Sequence, residues 1–248
     1  MIHANLVTMI KQANKVFSKA KAYAFAKRIS KGALDLCLPQ TCLGCRTVVQ
    51  TPDFSPTLCA VCWGQLHSAD TLRETMNFMA EEDHYDSFTA PFLYEGMAMD
   101  MVKNLKYGGQ RPAARLMAQQ MLPYIEDGAD VIVPVPLHKK RLYRRAYNQA
   151  GDLAKHLGKL SGIEVVPFGL TRVRHTQSQV GQKADVRRAQ LKGAFVADET
   201  LKGKRVVLVD DVCTTGSTAD FCAQALKEAG VLYVQVLTFA FVEPKVGG

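Results

Sequence analysis

Two groups of residues in this chain of 248 have types and spacings suited to chemistry. The first is Asp210-Asp211 followed by Thr214-Thr215-Gly216-Ser217-Thr218, directly after the apolar run Val206-Val207-Leu208-Val209. Adjacent carboxylates accept hydrogen bonds from a diol or face a metal, and they disfavour phosphate. Four hydroxyls around a glycine do the reverse: they donate, and Gly216 lets backbone N–H groups come close to an anion. A sugar diol lying between a terminal phosphate and a metal-bound diphosphate meets both needs. The second group is a pair of C-x-x-C motifs, Cys42/Cys45 and Cys59/Cys62, with 13 residues between them. Four thiolates complete a tetrahedral zinc shell with no open position, so the predicted metal is structural. A redox dithiol would use one such pair on a strand–helix unit and has no need of a second. Cys37 is left out of the ligand set because the two pairs already fill it. A module of this size, ~30 residues, cannot bury an adequate core, so the metal would supply much of its folding energy.

These groups need elements to hold them. The run ending in Asp210-Asp211 reads as a buried strand, with "STADFCAQALKEAG" as the helix after it and Gly230 at that helix's C-terminal cap. Ligands of open parallel sheets bind outside the carboxyl ends of strands, where the acid pair stands, and the following helix N-terminus offers unpaired N–H groups. From Ser87 onward strands and helices alternate. "FTAPFLYEG", "DVIVPVPL", "EVVPF" and "YVQVLTFAFV" read as strands. "MAMDMVKNLKY", "RPAARLMAQQMLPYIED" and the segment Tyr147–Leu160 read as helices. The segment 171–192 is a polar loop region too long for a simple connector. Continuously apolar strands alternating with helices predict an α/β fold, a mostly parallel sheet with helices on both faces. Ahead of it, residues 1–35 read as a basic amphipathic helical extension, 36–67 as the four-cysteine, zinc-ribbon-like module and 68–86 as a linker helix; 87–248 is the α/β domain.

Net charge is +8, and residues 1–34 carry seven bases and no acid, leaving 24 bases against 23 acids elsewhere. The basic balance therefore belongs to the extension. Its lysines suit nucleic-acid phosphates, peripheral contact with an acidic membrane surface, or plain solvation on a helix packed against its own domain. No apolar run approaches the ~18 residues of a membrane span. No apolar leader with a cleavage site opens the sequence, and seven cysteines do not form an even disulfide framework, so a cytoplasmic location is expected. Cys222 shares a helix face with Phe221, Ala225 and Leu226 and is expected in the core. For Cys213 neither packing nor ligation is evident.

The segment "VVLVDDVCTTGST" resembles the phosphoribosyl-diphosphate signature of type I phosphoribosyltransferases: apolar strand, two acids, then a T-T-G-x-T loop. With the four-cysteine module, "NLKYGG" at 104–109, "VPVPLHKKRLYRRAYNQA" at 133–150 and "LTRVRHTQSQ" at 170–179, the chain resembles the ComF/GntX family over roughly 36–242. That resemblance implies a phosphoribosyltransferase-like fold. It assigns Asp210 and Asp211 to the ribose hydroxyls and Thr214, Thr215, Gly216, Ser217 and Thr218 to the 5′-phosphate, with Mg2+ riding on the diphosphate. It implies a diphosphate loop at Val135, Pro136, Leu137, His138 and Lys139, and a lid and basic cluster drawn from Arg144, Arg145, Asn148, Gln149, Arg172, Arg174, Gln177 and Arg187. By charge alone the cluster suits diphosphate, nucleic-acid phosphate or a solvated face. The family's R-G-F-N-Q is here Arg145-Ala146-Tyr147-Asn148-Gln149, and its R-x-x-N is Arg187-Arg188-Ala189-Gln190. Alanine for glycine restricts a turn, glutamine for asparagine alters lid contacts, and tyrosine for phenylalanine is a mild exchange. The resemblance further implies a role in uptake or use of external DNA, as in competence, with single-stranded DNA and DNA-uptake proteins as partners. The alternative is an active transferase of nucleobase or nucleotide metabolism moving ribose 5-phosphate to a nitrogen nucleophile. A binding signature does not establish turnover.

Overall fold

The computed structural model describes residues 40–50, 57–69, 84–107, 112–137, 147–173 and 193–243. The chain forms two compact units, residues 1–42 with 46–55 and residues 43–45 with 56–248. In the described part of the first, Thr41 and Val48 make an antiparallel bridge. The Cys42 N–H donates to the Thr47 carbonyl at 2.8 Å, and Arg46 takes a left-handed φ of 66° to turn the chain.

The second unit opens its regular structure with a single turn, α1 (Ala60–Trp63). Then come the edge strands β1 (Ser87–Thr89) and β2 (Phe92–Leu93), and the helices α2 (Gly96–Tyr107) and α3 (Pro112–Met121). Next are β3 (Val131–Pro134), α4 (Gln149–Ser161), β4 (Glu164–Val165), and a ribbon of β5 (Leu170–Arg172) and β6 (Phe195–Ala197). The unit closes on β7 (Arg205–Cys213), α5 (Ser217–Glu228) and β8 (Tyr233–Phe241). The main sheet runs β1-β8-β7-β3-β4 with β2 also on β8, and all its pairings are parallel. Thr89 faces Leu237 and Phe92 faces Ala240, so β1 and β2 share one register on β8 and are interrupted only at Ala90-Pro91. Proline has no N–H to give a ladder and is tolerated on such an edge. This is why "FTAPFLYEG" forms two short strands.

The winding of this sheet sets the location of any site. From β7 the chain passes through α5 to β8 in one direction; from β3 it passes through α4 to β4 in the other. Right-handed crossovers therefore place α5 and α4 on opposite faces. Val206 and Leu208 of β7, with Val234 and Val236 of β8, share a core with Cys222 and Leu226 of α5. Val207 and Val209 alternate to the other face, where α4 packs on β3 and β7 and α3 packs on α4. Both central strands are buried on both faces, as their near-continuous apolar runs require.

Leu170–Arg172, at the head of the predicted loop region, instead pairs antiparallel with Phe195–Ala197, Arg172 opposite Phe195. Three-residue strands are too short to show an alternating pattern. No helix of the described residues is long and apolar enough to cross a membrane.

Candidate functional site

The two winding directions part between β3 and β7, and a crevice outside the carboxyl ends of strands at such a switch point is where open α/β sheets take ligands. β3 keeps pace with β7 only to Pro134 opposite Val209, after which the Val135 N–H donates to the Val209 carbonyl at 2.9 Å. β7 continues through the acid pair to Cys213, paired only with β8 as far as Phe241. The acids thus lie beyond the strand end on the β3 side while remaining in the ladder on the β8 side. The predicted strand stops at Asp211; the longer observed one reflects the equal length of β8. Cys213 is buried with Ala69, Ala90 and Phe241, which supplies the packing its sequence context did not reveal.

Within a strand, neighbouring side chains point to opposite faces. Asp210 follows Val206 and Leu208 to the α5 face and is partly exposed. Asp211 follows Val207 and Val209 and is 4% exposed. Its Oδ1 lies 2.8 Å from Lys106 Nζ, in the last turn of α2. The backbone N–H of Asp211 donates to Asp210 Oδ1 at 2.8 Å, which fixes the first carboxylate locally. Lys106 is a residue that charge and spacing did not single out; its one sequence signal was its place in "NLKYGG".

The hydroxyl loop follows directly. Thr214 and Thr215 are exposed, Ser217 and Thr218 half-buried, and Gly216 has a φ of 72°, which glycine adopts without strain. Thr215 Oγ1 lies 3.2 Å from Ser217 Oγ. Gly216 caps α5 without a side-chain bond to the helix N-terminus, and the first helical bond runs from the Asp220 N–H to the Gly216 carbonyl at 2.9 Å. The positive end of α5 therefore faces the loop with its backbone donors. Asp220, in the first turn and 3% exposed, accepts from the His84 N–H at 2.9 Å and faces His84 Nδ1 at 2.7 Å. Sequence reading missed this pair, whose partners stand 136 residues apart.

On the β3 side, Val135 is buried and Pro136 and Leu137 are half-buried. Asn148, capping α4, donates from Nδ2 to the Val135 carbonyl at 3.1 Å, and Gln149 is 1% exposed. The hydroxyl of Tyr147 donates to the Leu105 carbonyl on α2. Arg172 lies with its guanidinium carbon 5.3 Å from the centre of the Phe195 ring. Burial, and after it the charge of Asp210, pushes the Cys222 thiol well up, while Arg172 acts in the opposite sense. Asp210 and Arg172 thus both bear on this fully buried cysteine of α5, which lies in the core as expected. The structure brings together Asp210, Asp211, the 214–218 loop, Val135–Leu137, Asn148 and Gln149 at the carboxyl edge of the sheet. His138, Lys139, Arg144, Arg145, Arg174, Gln177 and Arg187 lie outside the described residues, as do the 1–34 extension and Cys37.

The sulfurs of Cys42, Cys45, Cys59 and Cys62 all lie within 4.8 Å of one another, with Cys45 Sγ and Cys59 Sγ 3.6 Å apart. Thiolates at ~2.3 Å from one zinc ion would stand roughly 3.8 Å apart, so these residues fit the metal. Cys42 and Cys62 are buried and Cys45 is exposed. Arg46 N–H donates to the Cys42 carbonyl and Trp63 N–H to that of Cys59, closing a turn behind the first cysteine of Cys42/Cys45 and of Cys59/Cys62. A Cβ added to Gly44 would stand 2.9 Å from Cys62 Sγ, so the backbone there passes too close to the cluster to take a side chain without movement.

A model of the phosphoribosyl transferase domain matches residues 110–245. Competence protein F of Haemophilus influenzae is 29% identical over 217 residues, covering 83% of this chain and 92% of that protein. DNA utilization protein YhgH of Salmonella typhi is 39% identical over 127 residues, 50% of this chain and 56% of that protein, so this match spans about half of the relative. Among solved structures, the glutamine phosphoribosylpyrophosphate amidotransferase from B. subtilis complexed with ADP and GMP superposes with a TM-score of 0.38 at 23% identity, over 54% of this chain and 30% of that one, too loose a likeness to bear on the assignment. With its parallel sheet, its switch-point acids and its four clustered cysteines, the chain belongs to the phosphoribosyl transferase domain family, as a ComF-type, phosphoribosyltransferase-like member.

Proposed function

We propose that this protein binds phosphoribosyl diphosphate with Mg2+ at the carboxyl edge of its sheet and serves the uptake or use of external DNA. The observation that carries the ligand reading is a loop of hydroxyls with left-handed Gly216, opening α5 directly after an acid pair at the switch point of the sheet. The loop and helix end suit the 5′-phosphate, and the acids suit the ribose diol. The Val135–Lys139 loop and the basic residues of 144–187 suit the diphosphate. Among the described residues, the four cysteines are the one group of three or more metal-ligating side chains. Magnesium, an ion held by substrate phosphates and one or two carboxylates, suits a site where the ligand brings the diphosphate and the chain brings the acid pair. Zinc is the metal proposed for the cysteines, in a structural role.

The DNA reading draws on relatives named Competence protein F and DNA utilization protein YhgH. Single-stranded DNA and uptake-machinery proteins are the proposed partners, and the cytoplasm the proposed location. A second reading, supported by the transferase-domain match, is an active enzyme. There a nitrogen nucleophile forms a bond to ribose C1 as the bond from C1 to the diphosphate oxygen breaks, with charge developing on ring and leaving group.

Calorimetric titration of Mg2+ and phosphoribosyl diphosphate into the wild type and into an Asp210→Asn/Asp211→Asn double variant tests the ligand reading. Binding lost in the variant is expected; no binding by folded, zinc-loaded wild type removes it. Titration with single-stranded DNA at rising salt tests the partner: affinity should fall steeply through counterion release.

A further inference from the structure

A short tail joins the second C-x-x-C pair to the carboxyl edge of the sheet. Cys59 caps the single turn α1 and Cys62 lies within it. The Gln65 N–H donates to the Cys62 carbonyl at 3.3 Å, and the Leu66 N–H to the Trp63 carbonyl at 3.1 Å. The chain then runs directly onto β2. The His67 carbonyl accepts from the Leu93 N–H at 3.0 Å, Ser68 bridges Phe92 antiparallel, and the Ala69 N–H donates to the Pro91 carbonyl at 2.9 Å. His67 Nδ1 also faces Glu95 Oε1. Leu66 bonds back to α1 and His67 bonds forward to β2, so consecutive residues join the ligand turn to the sheet. His67 and Ser68 are exposed, whereas Ala69 is 2% exposed and shares a small core with Ala90, Phe241 and Cys213. Cys213 is the last residue of β7, directly before the hydroxyl loop.

We propose that residues 66–69 are a positioning segment, through which the metal-loaded cysteine module holds the end of β7 and the loop after it in their ligand-binding arrangement. This rests on the phosphoribosyl-diphosphate and zinc readings above. A phosphate cradle works through backbone N–H groups and hydroxyls at hydrogen-bond distance, so a small shift of the loop loses bonds. Without a metal, α1 is a four-residue turn too short to keep its shape alone. The tail then loses its fixed start, and the core around Cys213 loses Ala69. Close-packed cores move between discrete arrangements and do not stretch, so Cys213 and the residues that follow it shift together. Asp210 and Asp211 ride on the same strand end, so the shift reaches the acids as well as the hydroxyls. The segment thereby makes metal and ligand binding reciprocal: each tightens the other by the same factor.

Hydrogen exchange read by mass spectrometry on the full chain, zinc-loaded and after zinc removal by a chelator, tests the coupling without any ligand. Amides of 65–69, 92–94 and 213–218 should exchange about 10-fold faster once zinc is removed, while β3 and α4 keep their protection. Unchanged exchange at 213–218 while 65–69 opens overturns the proposal. So does loss of protection throughout β3 and α4, which would make zinc a stabiliser of the whole domain, and so does a chain that takes up no zinc. Calorimetry with Mg2+ and phosphoribosyl diphosphate reads the consequence: zinc removal should weaken binding about 10-fold, within the usual span of coupling between sites. Ala69→Pro deletes the N–H that the Pro91 carbonyl accepts and leaves all four cysteines in place. Loaded with zinc, this variant should bind about 10-fold more weakly than wild type, and zinc removal should then add less than about twofold. Should it fail to fold, Ala69→Gly, which takes only a methyl group from the shared core, carries the same comparison at about threefold. A variant that melts cooperatively and holds zinc, yet keeps both wild-type affinity and its zinc dependence, overturns the proposal. If the wild type binds no phosphoribosyl diphosphate with or without zinc, the ligand reading fails, and exchange at 213–218 alone decides the coupling.

Discussion

Gly44→Ala adds one methyl group to the tightest described point of the cysteine module. Its Cβ would stand 2.6 Å from Met97 Cε, 2.8 Å from Met97 Sδ and 2.9 Å from Cys62 Sγ, all closer than a carbon can approach such atoms without movement. Gly44 is not among the residues with positive φ, so alanine can take its backbone conformation. On chain entropy alone the exchange should stabilise by about 0.4–1 kcal/mol. Overpacking acts against this at about 1–3 kcal/mol. The end of the Met97 side chain can swing aside with little penalty. Cys62 is 2% exposed and its sulfur is committed to the cluster, so it cannot yield without leaving its partners. The net expectation is destabilisation by about 1–2 kcal/mol, and because metal binding and folding are coupled in so small a module, zinc affinity should fall about 5- to 30-fold. Competition with a chromophoric chelator measures the affinity and a melting curve the stability. Adding Met97→Ala to Gly44→Ala should relieve the contact with methionine but leave the zinc defect. A Gly44→Ala protein that melts at or above wild type and holds zinc equally well would refute the reasoning.

Gly158 in α4 offers a second steric test, since a Cβ there would stand 2.3 Å from Val165 Cγ2 and 3.0 Å from the Ile163 carbonyl oxygen. Alanine raises helix propensity by about 1 kcal/mol, yet Gly158→Ala should still lower stability by about 1–3 kcal/mol in a denaturant melt; a stabilised variant would contradict the close packing of α4 on β4. Removing the proposed zinc with a chelator should open Cys42, Cys45, Cys59 and Cys62 to alkylation at mildly alkaline pH. Cys222 should stay protected until the fold opens, because burial and the nearby Asp210 raise its thiol well above the usual range and leave it protonated there. Mass mapping of the alkylated sites reads this directly, and early modification of Cys222 would count against it.

Much of the chemistry is local in sequence and was therefore legible there. Two C-x-x-C pairs suggest a ligand set, and the apolar run Val206–Val209 leading into acids, hydroxyls and Gly216 marks the strand–loop–helix that opens α5. Alternation of apolar strands with helices stated the α/β class, because strands buried on both faces have no polar side to show. The sequence alone could not locate the winding reversal between β3 and β7, since strand order depends on pairings between segments up to 148 residues apart. Nor could it tell which partners the acids meet: Lys106 reaches Asp211, and His84 reaches Asp220, only across long separations in sequence. The Tyr147 hydroxyl looks inconsequential in the sequence and finds its acceptor, the Leu105 carbonyl, only because α2 ends beside it. Residue types and short spacings determine what a segment can bind, because that chemistry is carried within a turn or two of backbone. Which charge is compensated, and by what, is decided by packing over long sequence distances.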